Sequence, residues 1–386
     1  MILASAVLAA ACGNNIQKTN NPLPDWALGG FIRAEQNPVI SPDTSSVFYC
    51  PMQKTMMRWE ESETFNPAAV VKDGKIVVLY RAEDNTAQGI GSRTSRIGYA
   101  ETSDGINMTR LDTPVFYPDE DNNKQYEWFA GCEDPRVTVT EDGLYVMTYT
   151  GAERKAYPHP YAIARLCVAT SRDLVNWTKH GSVFEKAYGG KFKDAWTKSG
   201  SIVTKIVDGR QVIAKVKGKY LMYWGEAMVN LATSDDLVNW TPMVDENEEL
   251  VPVMSPREGY FDATLVECGP PAVITENGIL LIYNGKNAAN GDKRFPENYY
   301  CGGQALFDIN NPEKLIGRLD SPFFLPRADF EKTGQYTYGG LFLEGLVFYE
   351  GKWYMYYGCS DSHVAVAIYD PSSKADGDPL PESAIR

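Results

Sequence analysis

Histidine is scarce in this 386-residue chain: the three that occur, His159, His180 and His363, are scattered and have no partner at ligand spacing. A metal site or a Ser-His-Asp triad therefore has little to stand on, and neither a metal nor a cofactor is expected. The seven cysteines form no C-x-x-C pair, and most sit in apolar strand-like runs where a buried free thiol is the common outcome, so no disulfide is assigned. Basic residues are outnumbered, 37 Lys and Arg against 50 Asp and Glu, for a formal net charge of −13. No broad basic surface can then neutralise phosphates, which argues against nucleic acid as a partner and leaves a neutral ligand such as a sugar. No glycine-rich phosphate loop follows a strand, and no long 3.6-residue period marks an α/β chain. Beyond the N-terminus, no apolar run approaches the roughly 20 residues of a membrane span.

What is plentiful points to many short strands. There are 23 Tyr, 15 Phe and 8 Trp to fill pleated surfaces, with 33 Gly and 23 Pro to punctuate them. Residues 1–12 are small and apolar and end in Leu8-Ala9-Ala10-Ala11-Cys12, like the end of a lipoprotein signal with Cys12 lipidated. Residues 13–30 read as a polar tether, 31–375 as one catalytic domain and 376–386 as a tail. The expected location is the envelope of a Gram-negative bacterium, periplasmic or on the outer membrane, with the membrane touched only through the lipid anchor.

One phrase recurs five times, some 60 to 75 residues apart: a turn carrying glycine, then an apolar-aromatic strand. The turns are Asp73-Gly74, Asp142-Gly143, Lys217-Gly218, Asn277-Gly278 and Glu350-Gly351, and their strands run into Tyr80, Tyr149, Tyr223, Tyr283 and Tyr357. Another strand precedes most of these turns, and a further one follows, in three copies ending in a Thr-Ser-x-Asp phrase or its relative. About four strands per copy is the unit of a propeller blade, which cannot bury both faces alone and must stack on its neighbours. The fold expected is all-β, a five-bladed β-propeller; a sandwich of similar hairpins is the rival.

Residues just ahead of or within the inner strands would face the axial pocket. These are Phe65-Asn66-Pro67, Glu133-Asp134-Pro135-Arg136, Glu267-Cys268-Gly269 and Glu344-Gly345, with Glu226 directly after the third repeat strand. Acids beside Pro and Gly in an apolar setting need a reason, because burying an unpaired carboxylate is costly. Pairing of Arg136 with Asp134 is one structural reason. Glycoside cleavage is the chemical one, since it needs one carboxyl for the leaving oxygen and another for water or the anomeric carbon. Asp134, Glu226 and Glu267 supply that set, though each alone also reads as a solvated loop acid.

The phrases Phe-Asn66-Pro-Ala, Leu-Tyr80-Arg81, Glu-Asp134-Pro-Arg136, Gly-Pro270-Pro271 with Leu-Leu-Ile-Tyr283, and Tyr-Tyr-Gly-Cys-Ser-Asp361 are jointly specific. From about Asn66 to Asp370 the chain resembles glycoside hydrolase family 130, the β-mannoside phosphorylases and β-1,2-mannosidases. The resemblance implies an inverting enzyme acting on β-linked manno-oligosaccharides. Asp134 matches the general acid, thought to act through a sugar hydroxyl, and Asn66, Arg81 and Asp361 match positions that hold the mannose. His363 is placed in the same pocket, and Arg136 and Tyr283 are counted with the substrate-binding set. Where phosphorylases carry a His-Arg-Pro-like phrase, this chain has Trp224-Gly225-Glu226, and a carboxylate there repels phosphate. Glu226 and Glu267 resemble the pair that marks the hydrolytic subgroup. Arg154, Arg165 and Lys215 stand where phosphate-binding cations are expected, so phosphorolysis stays open. A furanosidase-type propeller hydrolase and a non-catalytic glycan-binding lipoprotein are the more distant alternatives.

Overall fold

The computed structural model describes residues 23–154, 163–373 and 377–378. Cys12 and His159 lie outside the described residues, as does the segment 1–22. The regular structure is almost entirely strand, arranged in repeated antiparallel runs. An eight-stranded sheet contains Glu63–Lys72, Lys75–Glu83 and Ser95–Thr102 with Thr109–Arg110, then Phe129–Val139, Tyr145–Glu153, Ile163–Ser171 and Trp177–Ser182. Its two halves meet through a single parallel pair, Ser95 with Gly131. A five-stranded sheet follows, from Gly200–Ile202 through Lys219–Trp224 and Asn230–Ser234 to Trp240–Pro242, with Lys215–Val216 alongside. A seven-stranded sheet is built on Gly278–Lys286, flanked by Tyr300–Asp308 and by an inner strand broken into Leu265–Cys268 and Val273–Thr275. Pro270 and Pro271 sit at that break, where a ladder donor is missing. The last sheet holds Leu341–Tyr349, Lys352–Cys359 and His363–Tyr369, and Ile32–Arg33 from the other end of the chain pairs with its edge.

At Asp73-Gly74, Lys217-Gly218 and Glu350-Gly351 the turns put two consecutive residues at positive φ, which matches the twist of the flanking strands, and at Gly143 and Gly278 the glycine alone takes it. Asp73 and Gly74 have φ of 49° and 74°, and Glu350 and Gly351 have 47° and 80°. Strands such as Lys75–Glu83 are buried along nearly their whole length, so both faces are covered by neighbours. The inner strands pack backbone to backbone: a Cβ on Gly345 would lie 2.9 Å from the Pro67 carbonyl, and one on Gly269 2.8 Å from that of Leu343. All six described cysteines are buried free thiols.

Two readings of the sequence change. The segment 13–30 is not a free tether at its end, since Trp26 and Leu28 pack on the domain and Leu28 exchanges backbone bonds with the Gln304 amide at 2.8 and 2.6 Å. The third repeat also carries an unforeseen hairpin, Thr204–Val207 with Arg210–Ile213, which pairs to the next run through Thr204 and Val273. Its signal was present as Asp208-Gly209, both at positive φ.

Candidate active site

Three inner strands bulge at corresponding places. Register shifts occur between Phe65 and Pro67, between Glu133 and Arg136, and between Leu343 and Gly345. A bulge leaves residues out of the ladder and re-aims their side chains. The residues so released are Asn66, Asp134 and Glu344. Asn66 and Asp134 take φ of 45° and 48°, a strained choice for side chains with a Cβ and one typical of functional positions.

The re-aimed groups converge. Asn66 Nδ2 donates to Asp134 Oδ1 at 2.8 Å, Arg81 Nη1 donates to the same oxygen at 3.0 Å, and Lys198 Nζ stands 3.0 Å from Oδ2. Arg81 lies over the Phe65 ring and also reaches Glu83 and Glu133, at 2.7 and 3.1 Å. Lys198 reaches Glu133 at 3.1 Å. Arg136 Nη2 sits between Glu344 Oε1 at 3.1 Å and Glu267 Oε1 at 3.5 Å. Gln335 bonds to Glu83 and to the Asp361 carbonyl, closing one side of the cluster. Glu226 is half-buried and accepts from the Trp196 indole at 2.7 Å.

Carboxylates outnumber cations here, and their titration separates accordingly. Burial pushes the Asp134 carboxyl up, but the charges of Lys198, Arg81 and Arg136 outweigh it and hold the group well below the usual range. Burial pushes Glu267 up to about 8; Arg136 opposes this, and Glu226 and Asp134 add to it. Glu344 is also raised well above the usual range by burial, against the pull of Arg136. Asp361 keeps some surface open, yet the protein packed round it lifts its carboxyl to about 7 despite Arg81. Burial lowers the His363 imidazole, whose Nδ1 is buried without a protein partner.

Asn66, Arg81, Asp134, Glu267 and Asp361 are thus brought into one cluster, with Glu226 near enough for its charge to act on Glu267. Five residues expected to bind sugar or phosphate are placed otherwise. Tyr283 is core: it is fully buried, and its hydroxyl donates to Asp262 at 2.7 Å. The Arg154 guanidinium is taken up by the carbonyls of Gly91, Ser92, Arg93 and Phe129. Lys215 is exposed beside the Tyr220 ring, on the strand at the margin of its sheet. Arg136 is buried and donates to the carbonyls of Asp134, Lys198, Cys268 and Gly269 besides its two glutamates, so it ties strands together and has no donor to spare for a sugar. Arg165 is likewise engaged, with Asp194 and Glu153.

Lys198, Glu83 and Gln335 belong to the cluster and were not singled out from the sequence. Lys198 stands two residues before the inner strand Gly200–Ile202, in a connecting stretch that reads as surface in the sequence. A separate cavity of about 450 Å³ is lined by Val71, Val139, Gln211, Phe348 and Tyr349. Val71 and Val139 each lie five residues beyond Asn66 and Asp134, about 16 Å at strand rise, so this cavity is at the other end of the inner strands.

The sequence profile of family 130, described as β-1,4-mannooligosaccharide phosphorylase, matches residues 32–372. A 1,2-β-oligomannan phosphorylase of Thermoanaerobacter sp. (strain X514) is 32% identical over 83% of this chain and 94% of its own. Among solved structures, a glycosyl hydrolase from Bacteroides ovatus superposes with a TM-score of 0.90 at 57% identity, covering 94% of this chain and 99% of that one. Another, described with family 130 glycoside hydrolases that target β-1,2 mannosidic linkages in Candida mannan, has a TM-score of 0.90 at 58% identity and covers 93% and 99%. With the profile spanning nearly all described residues and the bulged acids in place, the chain belongs to glycoside hydrolase family 130.

Proposed function

We propose that the chain is an inverting β-mannosidase that hydrolyses β-1,2-linked manno-oligosaccharides on a five-bladed β-propeller. The antiparallel runs support the blade count, with Ile32–Arg33 from the start of the described chain supplying the outer strand of the last run beside His363–Tyr369. The mannose to be released sits over Asn66, Arg81 and Asp361, with His363 at the edge. Asp134 supplies the proton for the leaving oxygen through a sugar hydroxyl. Glu226 and Glu267 take a proton from the water that attacks the anomeric carbon on the opposite face.

The observation that carries hydrolysis over phosphorolysis is the fate of the charges. Two glutamates stand beside the acid, Arg154 and Arg165 are engaged elsewhere, and Lys215 is exposed beside Tyr220. Arg81, Lys198 and Arg136 are already paired with acids, so a phosphate dianion would meet carboxylates and cations that acids already neutralise. Export with a lipid on Cys12 is part of the same reading and rests on residues 1–13. Proton NMR of the first product formed from β-1,2-mannobiose tests the stereochemistry. The α anomer must appear before mutarotation; β-mannose appearing first would end the inverting mechanism.

A further inference from the structure

Asp134 and Glu267 have unequal surroundings. Asp134 accepts from Asn66 at 2.8 Å and Arg81 at 3.0 Å and pairs with Lys198 at 3.0 Å. Glu267 has one cation, Arg136 at 3.5 Å, and shares it with Glu344 at 3.1 Å. Charged groups face the two from every element around them. Arg81 and Glu83 come from Lys75–Glu83, and Glu133 and Arg136 from the strand of Asp134. Lys198 precedes Gly200–Ile202, Glu226 follows Lys219–Trp224, Glu344 lies on Leu341–Tyr349, and Asp361 precedes His363–Tyr369. Three close donors favour the ionised form of a carboxyl; burial among acids with one shared, longer contact favours the neutral form. Inverting hydrolysis requires the reverse, a proton on the acid and none on the base.

We propose that Lys198 is a positioning residue that keeps Asp134 ionised between turnovers, so the enzyme rests with its catalytic proton on the glutamate side and works through the minority form that carries it on Asp134. This rests on the reading of Asp134 as acid and Glu267 as base. In the working form, the Asp134 proton passes through the sugar hydroxyl to the leaving oxygen as the bond from the anomeric carbon to that oxygen breaks. Water gives a proton to Glu267, assisted by Glu226, and its oxygen bonds to the anomeric carbon. Turnover therefore ends with Asp134 ionised and Glu267 protonated, which is the resting form. Return of one proton from Glu267 to Asp134 opens the next cycle, with no net gain or loss. The opposed titration of the two carboxyls, one held low by Lys198 and the other pushed up by burial, agrees with this arrangement.

The test is the pH dependence of kcat/KM for the wild type and Lys198→Met. The limbs of a bell-shaped profile follow the order of the two titrations and not the roles of the groups. Removing the lysine charge raises the Asp134 carboxyl most and Glu267 less, so the acid-side limb should move up by about one pH unit or more and the alkaline limb by clearly less. Movement of the alkaline limb in its place would assign the higher titration to Asp134 and overturn the proposal, and so would two unmoved limbs. A second measurement does not depend on the variant folding. In wild-type protein labelled at the Asp Cγ carbons, with Asp134→Asn to assign the signal, Asp134 should stay ionised from about pH 5 to about pH 8, the range in which folded proteins are usually most stable. Protonation inside that window overturns it. Failure of the underlying reading looks different: Asp134→Asn would then keep its activity, whatever the limbs do.

Discussion

The Asn66 amide and the Asp134 carboxylate, each released by a bulge on its own inner strand, meet in a 2.8 Å hydrogen bond that joins two separate antiparallel runs. Two residues at positive φ are held there by their neighbours, and the Asn66 Oδ1 atom is left buried without a protein partner. A buried amide oxygen with an open lone pair beside an acid is suited to receive a sugar hydroxyl.

Asn66→Ala should therefore cost about ten- to a hundredfold in kcat/KM, the scale of one hydrogen bond to a charged group. Gly358→Ala should act through the same contact, because its Cβ would stand 2.4 Å from Asn66 Oδ1 and 2.8 Å from Asn66 N. Steady-state kinetics with thermal melting checks both. Full activity in the Gly358 variant would mean that the position of Asn66 does not matter.

Asp134→Asn should abolish turnover of unactivated mannosides without loss of fold, and Glu226→Gln or Glu267→Gln should each lower kcat about a hundredfold or more, the usual worth of a positioned acid or base. Circular dichroism controls for folding. Retention of most activity by any one variant removes that residue from the reaction.

Glu267 also has a stability signature. Its carboxyl titrates near 8 in the folded protein, against 4.5 for an exposed glutamate, because burial disfavours the charged form. The folded state thus holds a proton that the unfolded state releases, and this contribution is complete below about pH 4.5 and lost as pH rises through about 8. Glu267→Gln carries no such titration. Its melting temperature relative to wild type should be lowest near pH 4.5 and rise steadily towards pH 8; a difference independent of pH would contradict the buried-acid account.

Much of the architecture was readable in the chain because each hairpin is local: a turn with glycine at positive φ, then a strand filled by β-branched and aromatic residues. The inserted hairpin at Asp208-Gly209 was overlooked since its flanking strands are short and interrupt a repeat already matched. Site residues divided by a different rule. Asn66, Asp134 and Glu267 were legible because polar groups beside proline, or acids inside apolar strands, are costly and stand out. Tyr283 and Arg154 both turn into protein: a repeated phrase does not say which face of a strand Tyr283 takes, and a cation at a family position such as Arg154 can be used up by backbone carbonyls. Lys198 was missed for the converse reason: a lysine in a polar connecting stretch looks like surface until the fold sets it against two acids.

The central claim, that this member of the family uses water, is tested most directly by incubating the protein with β-1,2-mannobiose in phosphate-free buffer and again with phosphate, and measuring mannose and mannose 1-phosphate in each. Free mannose should form at the same rate in both, with no sugar phosphate. Silence without phosphate and mannose 1-phosphate with it would contradict the account and make the enzyme a phosphorylase.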